Sequence, residues 1–165
     1  MTQATELAAG RGGQAPAALV SLREFLGGGT IEQLRQTLGL SHSAAVRLVD
    51  RLVADGQVVR REGLGDARTV ALTLTPAGRS AVRRILSARS AVIEEAVASL
   101  ALGERDAIQS SANKMLAAIA KSRLEERAAG RPPDTGWICR LCDFEACGRP
   151  AGKCPAANSD GARSQ

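Results

Sequence analysis

Aromatic residues are scarce in this sequence: its 165 residues include two Phe, one Trp and no Tyr. Proteins that hold single-stranded nucleic acid or read RNA bases commonly stack the bases on aromatic side chains. The scarcity of aromatic residues therefore argues against that class. Histidine occurs only once, as His42. The sequence shows no combination of nucleophile, base and orienting group, so it does not indicate an enzyme.

Long apolar runs are also missing. No stretch approaches the ~18 uninterrupted apolar residues of a membrane-spanning helix. The N-terminal stretch TELAAGRGG lacks the apolar run of a signal peptide. We expect a soluble, cytoplasmic protein with no membrane partner. In that reducing compartment, four clustered cysteines are better explained as metal ligands or redox groups than as structural disulfides.

Positive charge is in excess. Twenty-two Lys and Arg residues stand against seventeen Asp and Glu residues, which gives a net charge of +5. Such a balance suits a polyanionic partner. Because aromatic residues are so few, the sequence favours groove contacts with double-stranded DNA over stacking on single strands.

A surface helix is predicted from Ser41, which can cap its first turn. Apolar residues then recur three or four positions apart, which places them on one buried face: Ala45, Leu48, Val49 and Leu52. Ser43, Arg47 and Arg51 fall on the opposite face, and His42 is expected to contact phosphate or a base rather than a metal. Arg and small polar side chains on one face fit the major groove, where Arg can bind guanine. An ordinary solvated face is the alternative interpretation.

The residues after this helix predict a β-hairpin. Val58 begins one strand, residues 63–68 form the turn, and apolar residues alternate along the second strand: Val70, Leu72 and Leu74. Three arginines give the ribbon a basic edge: Arg60, Arg61 and Arg68. Asp66 is placed to steady the turn. A helix followed by a basic ribbon is typical of a winged helix-turn-helix, whose helix enters the major groove and whose wing reaches a minor groove. The candidate DNA-contacting residues are therefore Ser41, His42, Ser43, Arg47, Arg51, Arg60, Arg61, Asp66 and Arg68.

Two runs carry a family resemblance: GLSHSAAVRLVDRLVADGQVVRR, then GDARTVALTLTPAGR. They resemble the MarR family of bacterial transcription regulators, whose signature includes an Asp-x-Arg wing followed by Leu-Thr-x-x-Gly. The residues that match this signature are Asp66, Arg68, Leu74, Thr75 and Gly78. The resemblance covers about residues 16–128. It implies a homodimer that binds a pseudo-palindromic operator, and it leaves room for a small-molecule effector that the sequence does not identify.

The rest of the chain is predicted to be mainly helical. Pro16 suits a first helical position, and three glycines end that helix. Thr30 caps the next helix, with Gln33 placed for a capping box. Residues 1–15 are rich in Gly and Ala and predict a flexible N-terminal arm. The predicted fold class is mainly α with a small β wing, and residues 16–76 form the winged helix-turn-helix domain.

Two long amphipathic helices are predicted within residues 77–128. The first runs to about Leu100, and the second runs from about Glu104 to Ala128. The second helix carries an apolar stripe formed by Ile108, Ala112, Met115 and Ile119. Together these helices exceed what one small core can cover. Their surplus apolar surface is most simply buried against a second copy of the chain, which predicts a homodimer.

The C-terminal part departs from the ordinary MarR pattern. A linker is predicted over residues 129–136, a cysteine-rich module over 137–158 and a disordered tail over 159–165. The module has the spacing C-x2-C-x4-C-x6-C, formed by Cys139, Cys142, Cys147 and Cys154. A segment this short cannot bury a core of its own, so a bound metal would order it. Trp137 and Phe144 are expected to be packing residues that dock this module rather than a platform for base stacking.

Four thiolates suit two kinds of metal centre. They satisfy tetrahedral zinc. They equally satisfy an iron–sulfur cluster, and Cys154-Pro155 resembles the Cys-Pro that closes a bacterial ferredoxin motif, although the intervening spacings differ. A redox-active thiol pair is the third interpretation.

Two functions from different classes agree with these features. The first is a DNA-binding transcription regulator whose cysteine module senses metal or redox state. The second is an electron-transfer or metal-handling accessory protein that uses its winged helix for protein contacts. Sequence-specific retention of double-stranded DNA separates the two.

Overall fold

The computed structural model describes residues 2–10, 12–62, 70–129, 138–145 and 147–154. The chain divides into two compact units. The first consists of residues 1–93 with 135–142, and the second consists of residues 94–134 with 143–165. The predicted hairpin turn, most of the predicted linker and the predicted tail lie outside the described residues.

The first unit contains a helix-turn-helix followed by a two-stranded wing, as the sequence predicts. Its elements are α1 (Thr2–Ala9), α2 (Ala15–Glu24), α3 (Ile31–Leu38), α4 (His42–Ala54), β1 (Val58–Glu62), β2 (Val70–Leu74), the greater part of α5 (Pro76–Val97) and the 3₁₀ helix η1 (Ile138–Leu141). β1 and β2 pair antiparallel, with Val58 opposite Leu74. An isolated bridge between Thr30 and Ala71 joins the start of α3 to the wing. The predicted fold class is confirmed.

Capping fixes the two helices of the helix-turn-helix. The Thr30 Oγ1 accepts a hydrogen bond from the Gln33 N–H at 3.2 Å, and the Gln33 Oε1 accepts one from the Thr30 N–H at 2.8 Å. α3 ends at Gly39, whose φ of +66° is a left-handed conformation that favours glycine. The Ser41 Oγ then accepts from the Ala44 N–H at 3.3 Å and begins α4. These local interactions set the short turn between α3 and α4.

Helix α2 lies at the centre of the first unit. Its residues 15–22 are all buried, whereas a surface helix normally buries one stripe. α2 contacts α1, α3 and β2. Through these contacts α2 supports both the helix-turn-helix and the wing.

Residues 2–9 form α1, where the composition predicts a flexible arm. Thr5 and Ala9 are buried. The Gln57 Nε2 donates to the Ala9 carbonyl at 3.0 Å, and the Arg84 Nε donates to the Ala8 carbonyl at 3.2 Å. A helix this short is unstable alone. It is held by contacts with residues that are distant in sequence, which a local reading of composition does not reveal.

Glycine is required at position 78, where the first turn of α5 meets the turn after α4. The Thr75 N–H donates to the Gln57 carbonyl at 3.0 Å, and the Thr75 Oγ1 donates to the Gly56 carbonyl at 2.6 Å. The Gly78 N–H donates to the Thr75 Oγ1 at 3.0 Å. A Cβ on Gly78 would overlap the Gln57 carbonyl oxygen and approach the Leu74 Cδ2 to 3.1 Å. The Leu-Thr-x-x-Gly sequence thus joins the helix-turn-helix, the wing and α5.

The second unit contains the end of α5, α6 (Leu102–Ala128) and residues 143–154, which include the short 3₁₀ helix η2 (Arg149–Ala151). The two predicted long helices are confirmed, although α5 ends at Val97 rather than near Leu100. Large apolar residues of α6 are exposed: Leu102, Ile108, Met115 and Ile119. Within the described ranges, no helix is long and apolar enough to cross a membrane.

Candidate nucleic-acid interface and cysteine segment

Helix α4 presents a polar face to solvent. Its buried residues are the four that the periodicity predicts: Ala45, Leu48, Val49 and Leu52. Ser43, Arg47 and Arg51 are exposed on the other side, and His42 is exposed at the first turn. The first unit thus presents a helix face of hydroxyl and guanidinium groups, with imidazole at its start, which suits base edges and phosphates in a DNA groove.

The two arginines on this face differ in their contacts. The Arg51 Nε donates to the Arg47 carbonyl at 3.1 Å, so its guanidinium is tied back to the helix. Among the described residues, the Arg47 guanidinium makes no hydrogen bond or ion pair. The Ser41 and Ser43 Oγ atoms lie 3.4 Å apart at the start of the helix. Arg47 therefore has its donors available to a ligand, and Arg51 has one donor fewer.

A cluster along α3 holds the turn before α4. The Arg35 Nε and Nη2 donate to the Glu32 carboxylate at 2.8 and 2.6 Å, and the Arg35 Nη1 donates to the Leu40 carbonyl at 3.3 Å. The hydrogen bond from Arg35 lowers the pKa of Glu32 to about 2. The stabilisation from this pair is fully present above the ordinary carboxyl pKa and is lost as the pH falls through about 2. The i, i+3 spacing of Glu32 and Arg35 is the sequence signal that could have identified the pair.

An ion pair links the wing to α4. The Arg60 Nη2 on β1 lies 2.6 Å from the Asp50 Oδ1 on α4. The sequence predicts Arg60 as a DNA contact, and the structure also places it as a brace between the two candidate DNA-binding elements. Asp50 was not predicted, although it directly precedes Arg51 on α4 and lies three positions after Arg47. Arg61 is exposed on the adjacent position of β1. Asp66 and Arg68 lie outside the described residues.

The first two cysteines lie in the same unit as the winged helix. Cys139 is in the 3₁₀ helix η1 (Ile138–Leu141), and Cys142 follows it, with its N–H donating to the Cys139 carbonyl at 2.9 Å. Both cysteines are half-buried. η1 contacts α2. The sequence predicts a module separated from the DNA-reading domain by a linker, and the structure differs by packing this turn on the central helix of that domain.

The other two cysteines lie in the second unit. The Cys147 N–H donates to the Asp143 carbonyl at 3.0 Å, and its Sγ lies 3.6 Å from the Phe144 carbonyl oxygen. Phe144 and Cys154 are buried. The Arg149 guanidinium lies 4.9 Å from the centre of the Phe144 ring. Phe144 is thus a packed residue of this segment, its predicted role in docking the module stays a prediction, and Trp137 lies outside the described residues.

The described residues do not assemble a complete metal-binding group. No disulfide joins the four cysteines there, and no three His, Cys, Asp or Glu side chains are grouped as metal ligands. Each half of the predicted centre is nevertheless held in a hydrogen-bonded turn. A centre shared by all four thiols stays a prediction from their spacing.

A cavity of about 350 Å³ lies within the first unit, beside the end of α2. Leu22, Leu72 and Leu74 supply apolar lining, and Arg79 and Arg83 supply guanidinium groups. The Arg79 Nη1 donates to the Leu74 carbonyl at 2.8 Å. The cavity combines an apolar wall with positive charge at its edge.

Comparison with known proteins agrees with this architecture. A family model described as MarR family matches residues 13–69, which contain α2, α3, α4 and β1. No curated protein sequence matches the chain. RV1404 from Mycobacterium tuberculosis is 26% identical over 69% of this chain and 78% of that chain, with a TM-score of 0.61.

Two further solved structures share the fold at lower identity. YusO from Bacillus subtilis is 21% identical over 67% of this chain and 78% of that chain, with a TM-score of 0.60. A DNA complex of S. aureus MepR is 18% identical over 70% of this chain and 86% of that chain, with a TM-score of 0.57. The matched family segment lies wholly within the first unit.

Proposed function

Residues 13–69 belong to the MarR family of winged helix-turn-helix proteins, and from this premise we propose that the chain is a homodimeric transcription regulator that binds a pseudo-palindromic operator. The observation that carries the proposal is the exposed Ser and Arg face of α4 opposite its four buried residues. The similar MepR structure is a complex with DNA. A small-molecule effector would find space in the cavity beside α2.

Each candidate residue has a distinct role in this proposal. Ser43 and Arg47 contact base edges in the major groove, because Arg47 retains its donors. Arg51 contacts phosphate. Ser41, His42 and Arg61 also approach the DNA backbone. Arg60 is held by Asp50 and supports the wing, while Asp66 and Arg68 form its predicted tip.

The second copy of the chain would cover α6. Ile108, Met115 and Ile119 expose large apolar side chains along this helix, and Met115 is 65% exposed. A helix with this much uncovered apolar surface is typical of an oligomer interface. Two copies related by a two-fold axis would present two α4 helices to half-sites about one turn of DNA apart.

Met115→Glu should therefore convert the dimer to a monomer, because a carboxylate would be buried in the interface without a partner. We expect operator affinity to fall at least tenfold, since one half-site contact is lost. Sedimentation analysis and operator titration measure the two effects. Asn113→Glu is the control, because it adds the same charge to α6 at an exposed polar position.

The outcomes separate the competing functions. If Met115→Glu stays dimeric, the interface does not include α6. If a monomer binds a single half-site with full affinity, the dimeric mode of recognition is wrong. A metal-loaded protein that retains no double-stranded DNA would favour the electron-transfer or metal-handling alternative.

We also propose that Cys139, Cys142, Cys147 and Cys154 bind one metal centre, either zinc or an iron–sulfur cluster. The proposal is supported by their spacing and by the few large apolar residues in this part of the chain. Four thiolates complete the coordination of either centre. Binding would order a segment that is too short to fold by burial alone.

Cys142→Ser should abolish metal binding, because a centre with one ligand missing loses most of its affinity. Metal analysis and an absorption spectrum of protein purified without oxygen test this prediction. Iron with broad visible absorption indicates a cluster, whereas a colourless protein with zinc indicates the mononuclear site. Ala151→Ser serves as the control, because it changes an exposed residue of the same segment and keeps every thiol. Full metal content in Cys142→Ser would contradict the four-cysteine centre.

A further inference from the structure

Cys139 and Cys142 lie at the two ends of one hydrogen-bonded turn. The Cys142 N–H donates to the Cys139 carbonyl at 2.9 Å, which is the hydrogen bond between residues three positions apart in a 3₁₀ turn. Side chains at this spacing lie one above the other on the same face of the turn. Three steps of about 2.0 Å separate the two Cα atoms by roughly 6 Å, a distance that a disulfide can span. The turn therefore places two thiols where a bond can join them with little movement of the backbone.

These two cysteines form a pair that is distinct from the other two. Both are half-buried and belong to the first unit, so a small oxidant can reach them. Cys147 and Cys154 belong to the second unit, and Cys154 is buried. They are also seven positions apart, so no single turn joins them. The geometry that favours a disulfide is thus found at Cys139 and Cys142.

The turn that carries this pair packs on the central helix of the first unit. η1 contacts α2, and α2 also contacts α3 and β2. η1 has only four residues, and a turn this short contributes little order of its own. A covalent link across the turn would reduce the number of conformations that the undocked segment can adopt. It would therefore favour the arrangement in which η1 is docked on α2.

We propose that Cys139 and Cys142 form a reversible disulfide when the protein meets a peroxide, and that this disulfide holds η1 against α2. The inference goes beyond the proposed function and does not depend on operator binding. It concerns protein that carries no metal at these two thiols, because a sulfur in a disulfide is no longer a thiolate ligand. Disulfides that form in reducing compartments are usually transient and respond to the redox state.

The reaction consumes one peroxide molecule for each pair of thiols. One cysteine sulfur attacks an oxygen of hydrogen peroxide, the O–O bond breaks, a sulfenic acid forms and water leaves. The second sulfur then displaces the sulfenic oxygen as another water molecule, and the S–S bond forms. The two sulfurs together lose two electrons, and hydrogen peroxide is reduced to two molecules of water. A dithiol reverses the modification by thiol–disulfide exchange.

The test treats full-length protein with hydrogen peroxide after a chelator and a dithiol have been applied and removed. Trypsin cuts after Arg140, between the two cysteines, so the disulfide joins two tryptic peptides that a dithiol separates. Cys147→Ser/Cys154→Ser is the matched variant, because it retains only the proposed pair. We expect mass spectrometry to detect the linked peptides in the wild type and in this variant, at similar rates of formation.

Hydrogen exchange measures the effect of the disulfide on the packing of α2. Amides in residues 15–24 should exchange more slowly in the oxidised protein, by a factor on the order of ten. A dithiol should restore the faster exchange. Cys139→Ser/Cys142→Ser is the control, and its exchange in residues 15–24 should not respond to peroxide.

Each contrary result overturns a stated part of the proposal. Oxidation of Cys139 or Cys142 to a sulfinic acid, without linked peptides, would overturn the disulfide. A disulfide that requires Cys147 or Cys154 would overturn the assignment of the pair. Linked peptides with unchanged exchange in residues 15–24 would overturn the hold of η1 on α2. A metal that survives the chelator and prevents oxidation would overturn the redox role and support the metal centre instead. Operator titration tests the proposed DNA-binding function separately from all of these results.

Discussion

Gly78→Ala is expected to destabilise the protein by about 3 kcal/mol, at the upper end of what overpacking costs. The added methyl group would overlap the backbone carbonyl of Gln57, which cannot rotate away as a flexible side chain can. Relief requires the first turn of α5 to separate from the turn after α4. That movement would break the hydrogen bonds through which Thr75 holds Gly56 and Gln57. Thermal unfolding should show a fall in Tm of roughly 6–12 °C.

Gly103→Ala is the matched control for this substitution. Gly103 also lies in the first turn of a long helix, but among the described residues no atom outside its own helical turn lies within 4 Å of the position that its Cβ would take. Alanine there should stabilise the protein by up to about 1 kcal/mol, because it favours the helical conformation. Equal stability of Gly78→Ala and wild type would show that the first turn of α5 does not lie in close contact with the Gln57 carbonyl in solution.

Arg47→Ala is expected to have the largest effect on DNA recognition. Removal of a forked base contact costs about 1–3 kcal/mol and relaxes the preference at one base position. Arg47 is the expected reader because its guanidinium is uncommitted among the described residues. Binding to a library of operators, each varied at a single position, would show the loss of preference directly.

Arg51→Ala provides the comparison on the same face of the same helix. Its Nε already bonds to the Arg47 carbonyl, so we expect a phosphate contact from the rest of the side chain. Its removal should weaken all operator sequences alike and reduce the salt dependence of binding by about one unit of slope. Suppose instead that Arg47→Ala weakened binding to all operator sequences alike and that Arg51→Ala relaxed the preference at one base position. Arg51 would then be the base-contacting residue and Arg47 the phosphate contact.

Interactions between near neighbours in sequence are the ones that could be predicted. The four buried residues of α4 follow from a 3.6-residue period, and the capping box of Thr30 and Gln33 follows from residue types three positions apart. The wing could be predicted for the same reason, because the alternation of apolar residues along β2 is a pattern between near neighbours in sequence. These features determine the fold class and the exposed face of the candidate recognition helix.

Interactions between distant residues could not be predicted in this way. α1 is held by Gln57 and Arg84, and the Ala-rich composition of residues 2–9 gives no sign of those partners. The docking of η1 on α2 likewise depends on packing between opposite ends of the chain. The pairing of Arg60 with Asp50 depends on how the strand crosses the helix. No local period or spacing encodes such contacts.

The ion pair between Asp50 and Arg60 also affects how DNA would approach the protein. Seen from a distance, the paired charges largely cancel, so this part of the surface contributes little to long-range attraction. Attraction of the polyanion, and with it the association rate, would come from cations such as Arg47 and Arg61, which make no ion pair with the part of the chain that the structure describes. Arg47 and Arg61 would thus attract DNA, whereas Arg60 aligns the wing with α4. A change in ionic strength should therefore alter the rate of DNA capture strongly. The short, direct ion pair between Asp50 and Arg60, which aligns the wing with α4, is screened less.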